Sequence, residues 1–240
     1  MRSVLVSACF AAVLVGGAVR GGSAQSPPAA PAADSALPAA GRPVARVVSI
    51  AWDNEVSRDA VGEADRVFAL LRLAPGVRVA DIGAGAGYYT TRLARVLAPG
   101  GTVYAQDIRQ EILDSLGARM RGERLEGVTM VLGTPDDPKL PRGSVDVALL
   151  SHMYHEITRP YDFLYNLHPS LAPQARVAII DSDKPTASHG TPPALLRCEM
   201  AALGYRELSF HPLAPATGYL AVFAAPDRLP SPSSVEACSS

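Results

Sequence analysis

The chain has 240 residues, which allows one domain or two small ones on a prior of roughly 100–200 residues per domain. Hydrophobic residues make up 48% of it, enough for a full core, and the formal net charge is −1. Charges are spread along the chain and the only lysines are Lys139 and Lys184, so nothing resembles the basic patch of a nucleic-acid binder.

Met1-Arg2 supplies a short positive start, Val4 to Val15 is an uncharged apolar run, and Gly22-Ser23-Ala24 offers small residues for cleavage before Gln25. This predicts a secretory signal over residues 1–24. The uncharged stretch Val4 to Val19 is shorter than the ~20 residues that span a bilayer, so no membrane insertion is expected after cleavage, and the mature chain is expected to be periplasmic or secreted. Residues 25–46 are rich in Ala and Pro and predict a disordered linker. Residues 226–240 read as a similar Ser/Pro tail, leaving 47–225 as the folded domain. Cys9 leaves with the signal. Cys198 sits in a helical pattern and Cys238 in the tail, which predicts neither a disulfide framework nor a metal site. Cys198 reads as a small core residue.

Within the domain, Val61 to Leu71 has helical spacing and Pro75-Gly76 stops it. Val77 to Ile82 is a short apolar strand, Gly83 to Gly87 a loop, and Tyr88 to Leu97 a helix. Strand Thr102 to Ala105 follows the turn Pro99-Gly100-Gly101. Glu111 to Arg121 is a helix and Val128 to Leu132 a strand. Val145 to Leu150 is a continuous apolar run, the kind buried on both faces of a parallel sheet. A helix is expected over Pro160 to Leu171, a strand over Arg176 to Ile180, and a helix over Pro193 to Leu203, closed by Gly204. The strands Tyr205 to Phe210 and Tyr219 to Phe223 have no helix between them and should pair antiparallel. Alternation of this kind predicts an α/β sheet with helices on both faces. Ligands of such sheets bind at the carboxyl ends of the strands, near the switch in strand order.

The first strand runs into Asp81-Ile82-Gly83-Ala84-Gly85-Ala86-Gly87, and a helix follows. The glycines let the backbone turn and approach a ligand closely, and the amides that open the helix point toward it. Asp107, at the end of the second strand, is placed to accept both hydroxyl protons of a ribose. The dinucleotide fingerprint is Gly-x-Gly-x-x-Gly. Here the spacing is Gly-x-Gly-x-Gly with an acid two residues ahead, which disfavours a nucleotide-dependent oxidoreductase. S-adenosylmethionine has no phosphate, and its ammonium welcomes an acid.

Val79-Ala80-Asp81-Ile82-Gly83-Ala84-Gly85-Ala86-Gly87-Tyr88 resembles motif I of class I S-adenosylmethionine-dependent methyltransferases. The resemblance extends over the folded unit, and it implies a Rossmann-like, mostly parallel seven-stranded sheet ending in an antiparallel hairpin. It also implies S-adenosyl-L-methionine as cofactor. Asp81 would then organise the methionine end, Gly83, Gly85 and Gly87 would line the cofactor, and Asp107 would hold the ribose. An acid after the third strand, Asp136 or Asp137, would read the adenine. The alternative for Pro135-Asp136-Asp137-Pro138 is a plain turn. Ser151 opens the loop that, by the resemblance, lies beside the transferable methyl. The chain departs from the pattern in two places: it lacks a tryptophan near Ala60 to Gly62, and it has Pro173-Gln174-Ala175 where Pro-Gly-Gly is usual.

Methyl transfer is an in-line displacement at an activated carbon, so positioning and water exclusion are the main requirements. A base is needed only if the acceptor must lose a proton. His155 is the candidate base, with Glu156 capping or bracing the following segment and Tyr154 in contact with cofactor or core. The alternative for His155 is a loop histidine satisfied by the backbone. His152, His155, Asp181, Asp183 and His189 are of metal-ligating type, but no metal is expected, because the strand-four position carries no acid. The expected activity is methyl transfer to a small-molecule acceptor, whose identity and the oligomeric state the residues do not specify. An exported, catalytically inactive binding protein of the same fold is the alternative, since export separates the chain from the cytosol where the cofactor is made.

Overall fold

A computed structural model describes residues 36–47, 55–213 and 217–239, which all lie in one compact unit. The expected signal at 1–24, and the start of the expected linker, lie outside the described residues. In chain order the elements are α1 (Glu55–Ala60), α2 (Glu63–Leu71), β1 (Arg78–Ile82), α3 (Tyr88–Leu97), β2 (Thr102–Asp107), α4 (Gln110–Gly122), β3 (Val128–Leu132), β4 (Val145–Ser151), α5 (Pro160–Leu167), β5 (Leu171–Asp181), α6 (Pro193–Ala202), β6 (Arg206–Pro212) and β7 (Tyr219–Ala224). Short 3-10 turns lie at Tyr154–Glu156, His168–Ser170, Thr186–Ser188 and Pro232–Ser234.

The seven strands form one sheet in the order β3-β2-β1-β4-β5-β7-β6. β1 to β5 pair in parallel, and β7 is antiparallel to both β5 and β6. This is the Rossmann-like seven-stranded sheet expected from the alternation of elements. The period-two alternation of strand side chains divides the core in two. Ala80, Ile82, Ala148, Leu150, Val177, Ile179 and Phe223 face one layer, with Leu164, Leu167, Leu196 and Met200 of α5 and α6. Val79, Val103, Val147, Leu149, Ala178, Ile180 and Val222 face the other, with Val67, Phe68, Leu71, Leu93 and Leu97 of α2 and α3. β4 is therefore covered on both faces, as its unbroken apolar run requires.

Several boundaries differ from expectation. The helix expected over Val61 to Leu71 begins at Glu63, because Gly62 sits at φ 62° in the left-handed region, and α1 precedes that kink. The helix expected to reach Leu171 ends at Leu167. His168-Pro169-Ser170 tightens into a 3-10 turn, and Leu171 already pairs with Val145. β5 is longer than its apolar core and carries Asp181 as its last residue.

Composition predicts disorder for 25–46, yet the described part of that stretch packs on the domain. Leu37 is buried, the Arg42 side chain has no exposure, and Ala45 N–H donates to the His155 carbonyl at 3.1 Å. The tail is likewise held in place. Cys198 and Cys238 form a disulfide with Cα atoms 6.0 Å apart, the Cys238 N–H donates to the Tyr161 hydroxyl at 2.7 Å, and Gly41 and Ser239 form a parallel bridge. This corrects the expectation of unpaired cysteines. Two cysteines 40 residues apart carry no framework signal, and composition does not reveal that two low-complexity ends meet on α6.

Candidate active site

The order of strands reverses between β1 and β4, and the expected cofactor residues collect at the carboxyl ends flanking that point. β1 delivers Asp81, the loop delivers Gly83, Gly85 and Gly87, β2 ends on Asp107, and β4 ends on Ser151. All three glycines have positive φ (71°, 54° and 92°). At Gly87 a β-carbon would run into the Leu116 side chain, so glycine is required there for space as well as for backbone conformation. A β-carbon on Gly83 would press on Met153, the second residue after β4 ends.

Asp81 is buried, and its carboxylate accepts a 2.6 Å hydrogen bond from the Thr90 hydroxyl on α3. Burial pushes its carboxyl up to about 6, against the lowering effect of Thr90 and the nearby Arg58 charge. Asp107 is also held above the ordinary carboxylate value by burial. One of its oxygens accepts the Gly85 N–H at 3.2 Å and the other the Arg109 N–H at 3.1 Å. A carboxylate offers about four acceptor positions, so acceptor capacity remains for ribose hydroxyls.

The first two described helices, α1 and α2, reach this loop and its surroundings. Glu55 of α1 pairs with Arg119 of α4, which also donates to the Ala86 carbonyl in the loop at 2.9 Å. Asp59 pairs with Arg92 of α3. Arg58 lies over the Tyr88 ring, 3.7 Å from its centroid, donates to Glu63, and reaches Ser151 Oγ at 3.1 Å. Glu63 is buried and also accepts the Tyr89 hydroxyl at 2.8 Å. Arg58 thus spans from α1 to the end of β4. Arg58 and Glu63 were not among the expected site residues: Arg58 precedes the helix expected over Val61 to Leu71, and Glu63 is one charge in its first turn.

Among the expected adenine readers, Asp137 has both oxygens engaged, by the Lys139 N–H at 2.8 Å and the Lys139 ammonium at 2.6 Å. Asp136 accepts the Thr134 hydroxyl at 2.7 Å. Of the expected catalytic residues, Tyr154 is buried in the main core, under the Arg42 guanidinium at 5.5 Å. His155 is fully buried with Nδ1 3.0 Å and 3.1 Å from the two oxygens of Asp181. Glu156 is half-buried beside it. The structure thus brings Asp81, the glycine loop, Asp107 and Ser151 to the β1–β4 crevice, and His155, Glu156 and Asp181 to the neighbouring ends of β4 and β5.

Residues 80–179 match the family model described as a methyltransferase domain. Nocamycin O-methyltransferase of Saccharothrix syringae is 35% identical over 88 residues, covering 37% of this chain and 31% of that protein. Protein-L-isoaspartate O-methyltransferase of Aeropyrum pernix is 34% identical over 83 residues, covering 35% and 32%. The chain thus spans about a third of the length of these relatives. The crystal structure of a SAM-dependent methyltransferase from Aquifex aeolicus superposes with a TM-score of 0.64 at 23% identity, over 70% of this chain and 92% of that one. The [4+2]-cyclase SpnF superposes at 0.57 with 16% identity, over 78% and 99%; its likeness concerns the fold alone. The matched domain type implies S-adenosyl-L-methionine as the cofactor. The residues fit that group: a ribose diol finds free acceptor capacity on Asp107, and an ammonium finds the buried carboxyl of Asp81.

Proposed function

We propose that the chain catalyses methyl transfer from S-adenosyl-L-methionine to a small-molecule acceptor. The observation that carries this reading is the joint geometry of the buried Asp81, the positive-φ glycine loop and Asp107 at the β1–β4 switch, within the segment that matches a methyltransferase domain. When bound, the cofactor supplies a methyl carbon on a sulfonium, which an acceptor lone pair attacks as the carbon–sulfur bond breaks.

The chain's own residues bind and orient. Asp107 accepts the ribose hydroxyls, with its carboxylate held in place by the Gly85 and Arg109 amides. Asp81, braced by Thr90, accepts from the ammonium, and ionisation of its buried carboxyl is favoured by that positive charge. Asp136 takes the adenine amine rather than Asp137, because the Asp137 charge is already paired with the Lys139 ammonium while Asp136 holds only the Thr134 hydroxyl. Arg58, Glu63 and Ser151 latch α1 and α2 to β4 and exclude water from the crevice. Burial of His155 supports a structural rather than proton-accepting part in this step.

Export accompanies this reading. The Cys198–Cys238 disulfide is of the kind that persists in oxidising compartments, in keeping with the apolar leader read from sequence. Calorimetric titration of the mature chain with S-adenosylmethionine and S-adenosylhomocysteine tests the proposal, and absence of saturable binding to both would overturn it. Binding without methyl transfer to any of a panel of hydroxyl, amine and thiol acceptors would favour the catalytically inactive exported protein.

A further inference from the structure

The geometry points to a divalent-cation site formed by His155, Glu156 and His189. A ring nitrogen from each histidine and a Glu156 carboxylate oxygen lie within 4.8 Å of one another. His155 and Glu156 come from the 3-10 turn after β4, and His189 from the end of the turn after β5. The two imidazole rings meet edge to face, with centroids 5.4 Å apart.

Three observations favour a cation over a chance cluster. First, His155 Nε2 is closed off from solvent and has no hydrogen-bond partner among the described residues. A buried polar nitrogen left in this way is destabilising, and an ion at that lone pair would satisfy it. Second, the opposite nitrogen is fixed. Nδ1 faces Asp181, whose carboxylate is itself held by the Ser182 N–H at 2.8 Å and the Thr191 hydroxyl at 2.7 Å. A carboxylate behind a ligating histidine sets its tautomer and orientation and raises its basicity. Third, the segment 41–47 laces the two ligand-bearing turns together. Arg42 donates to the Tyr154 carbonyl at 3.3 Å, Ala45 N–H to the His155 carbonyl, and the Thr186 hydroxyl to the Pro43 carbonyl at 2.6 Å.

Two imidazoles and one carboxylate suit a borderline first-row ion such as zinc rather than magnesium or calcium, which prefer all-oxygen shells. Three protein ligands leave a fourth position for water or a donor atom of another molecule. The inference does not depend on methyl transfer, because metal uptake is measured without cofactor or acceptor.

The test uses the full mature chain, without a histidine tag, stripped by chelator and titrated with zinc against a chromophoric competitor. Cobalt serves as a second probe through its visible absorption. The wild type is expected to take up one equivalent. Glu156→Gln and His189→Ala, both at half-buried positions, should each weaken zinc binding at least ~10-fold while the metal-free melting temperature stays near wild type. Asp181→Asn, behind His155, should weaken it roughly 10–100-fold. Failure of the wild type to take up a stoichiometric ion, or wild-type affinity in both Glu156→Gln and His189→Ala, would overturn the assignment.

Discussion

Arg42 Nε donates to Glu199 Oε1 at 2.8 Å, and neither side chain has any exposure to solvent. The pair joins the segment before α1 to the middle of α6, 157 residues away in the chain. Removing one partner of a buried ion pair strands the other charge, at a cost of about 3–5 kcal/mol. Arg42→Met should therefore lower the urea midpoint sharply, and Arg42→Met with Glu199→Leu should recover most of the loss. A single variant with unchanged midpoint would show that the strap adds nothing to stability.

The disulfide one residue away from Glu199 should act on the unfolded chain. Closing a loop of 40 residues stabilises by roughly 2–4 kcal/mol in the chain-entropy picture. Cys198→Ser with Cys238→Ser, or reduction of the wild type, should lower the melting temperature by several degrees. Mass analysis of the untreated protein with a thiol-alkylating reagent checks the bond itself: neither Cys198 nor Cys238 should be labelled.

Asp107→Ala should weaken S-adenosylhomocysteine binding at least ~10-fold, or about 1.4 kcal/mol, because two charge-assisted hydrogen bonds to the ribose are lost. Asp137→Ala, whose carboxylate already serves Lys139, should leave affinity near wild type, while Asp136→Ala should reduce it. Calorimetry on the three variants, each with a melting curve, separates lost contacts from a collapsed loop.

Asp81 gives a pH dependence with a definite sign. Its folded carboxyl titrates near 6, above the ordinary value of 3.8. Between those values the folded chain holds a proton that the unfolded chain has released, so stability falls as pH rises through this window, by on the order of 3 kcal/mol in full. Asp107, raised by burial too, contributes in the same direction. Asp81→Asn should flatten the part of the profile that Asp81 supplies. Cofactor affinity should run the other way, weakening as pH drops below about 6, because the neutral acid no longer attracts the ammonium.

The sheet and the cofactor loop were legible in the sequence because their signals are local. Val145 to Leu150 must be buried on both faces, and glycines spaced through the Asp81–Gly87 loop are required by positive φ and by Leu116. Asp107 was legible because its place depends only on where β2 ends. The rest depends on contacts distant in sequence. Arg58 carries no sequence signal until Ser151 lies beside it, and Arg42 sits in an Ala/Pro-rich stretch that announces disorder. Cys238 lies in a polar tail whose partner is on another element. The His155–Asp181 pair spans two strands, and only their adjacency in the sheet brings the imidazole to the carboxylate.

β6 pairs only with β7, and β7 lies between β6 and β5. The penultimate strand in sequence is thus docked by the last one, so a chain cut anywhere before Tyr219 loses both strands from the sheet. The edge laid bare would be Arg176 to Asp181 of β5, a mostly apolar run whose unpaired amides and carbonyls invite pairing with another chain. A polypeptide still emerging during synthesis passes through that state, and the hazard of self-association ends only when residues 219–224 arrive.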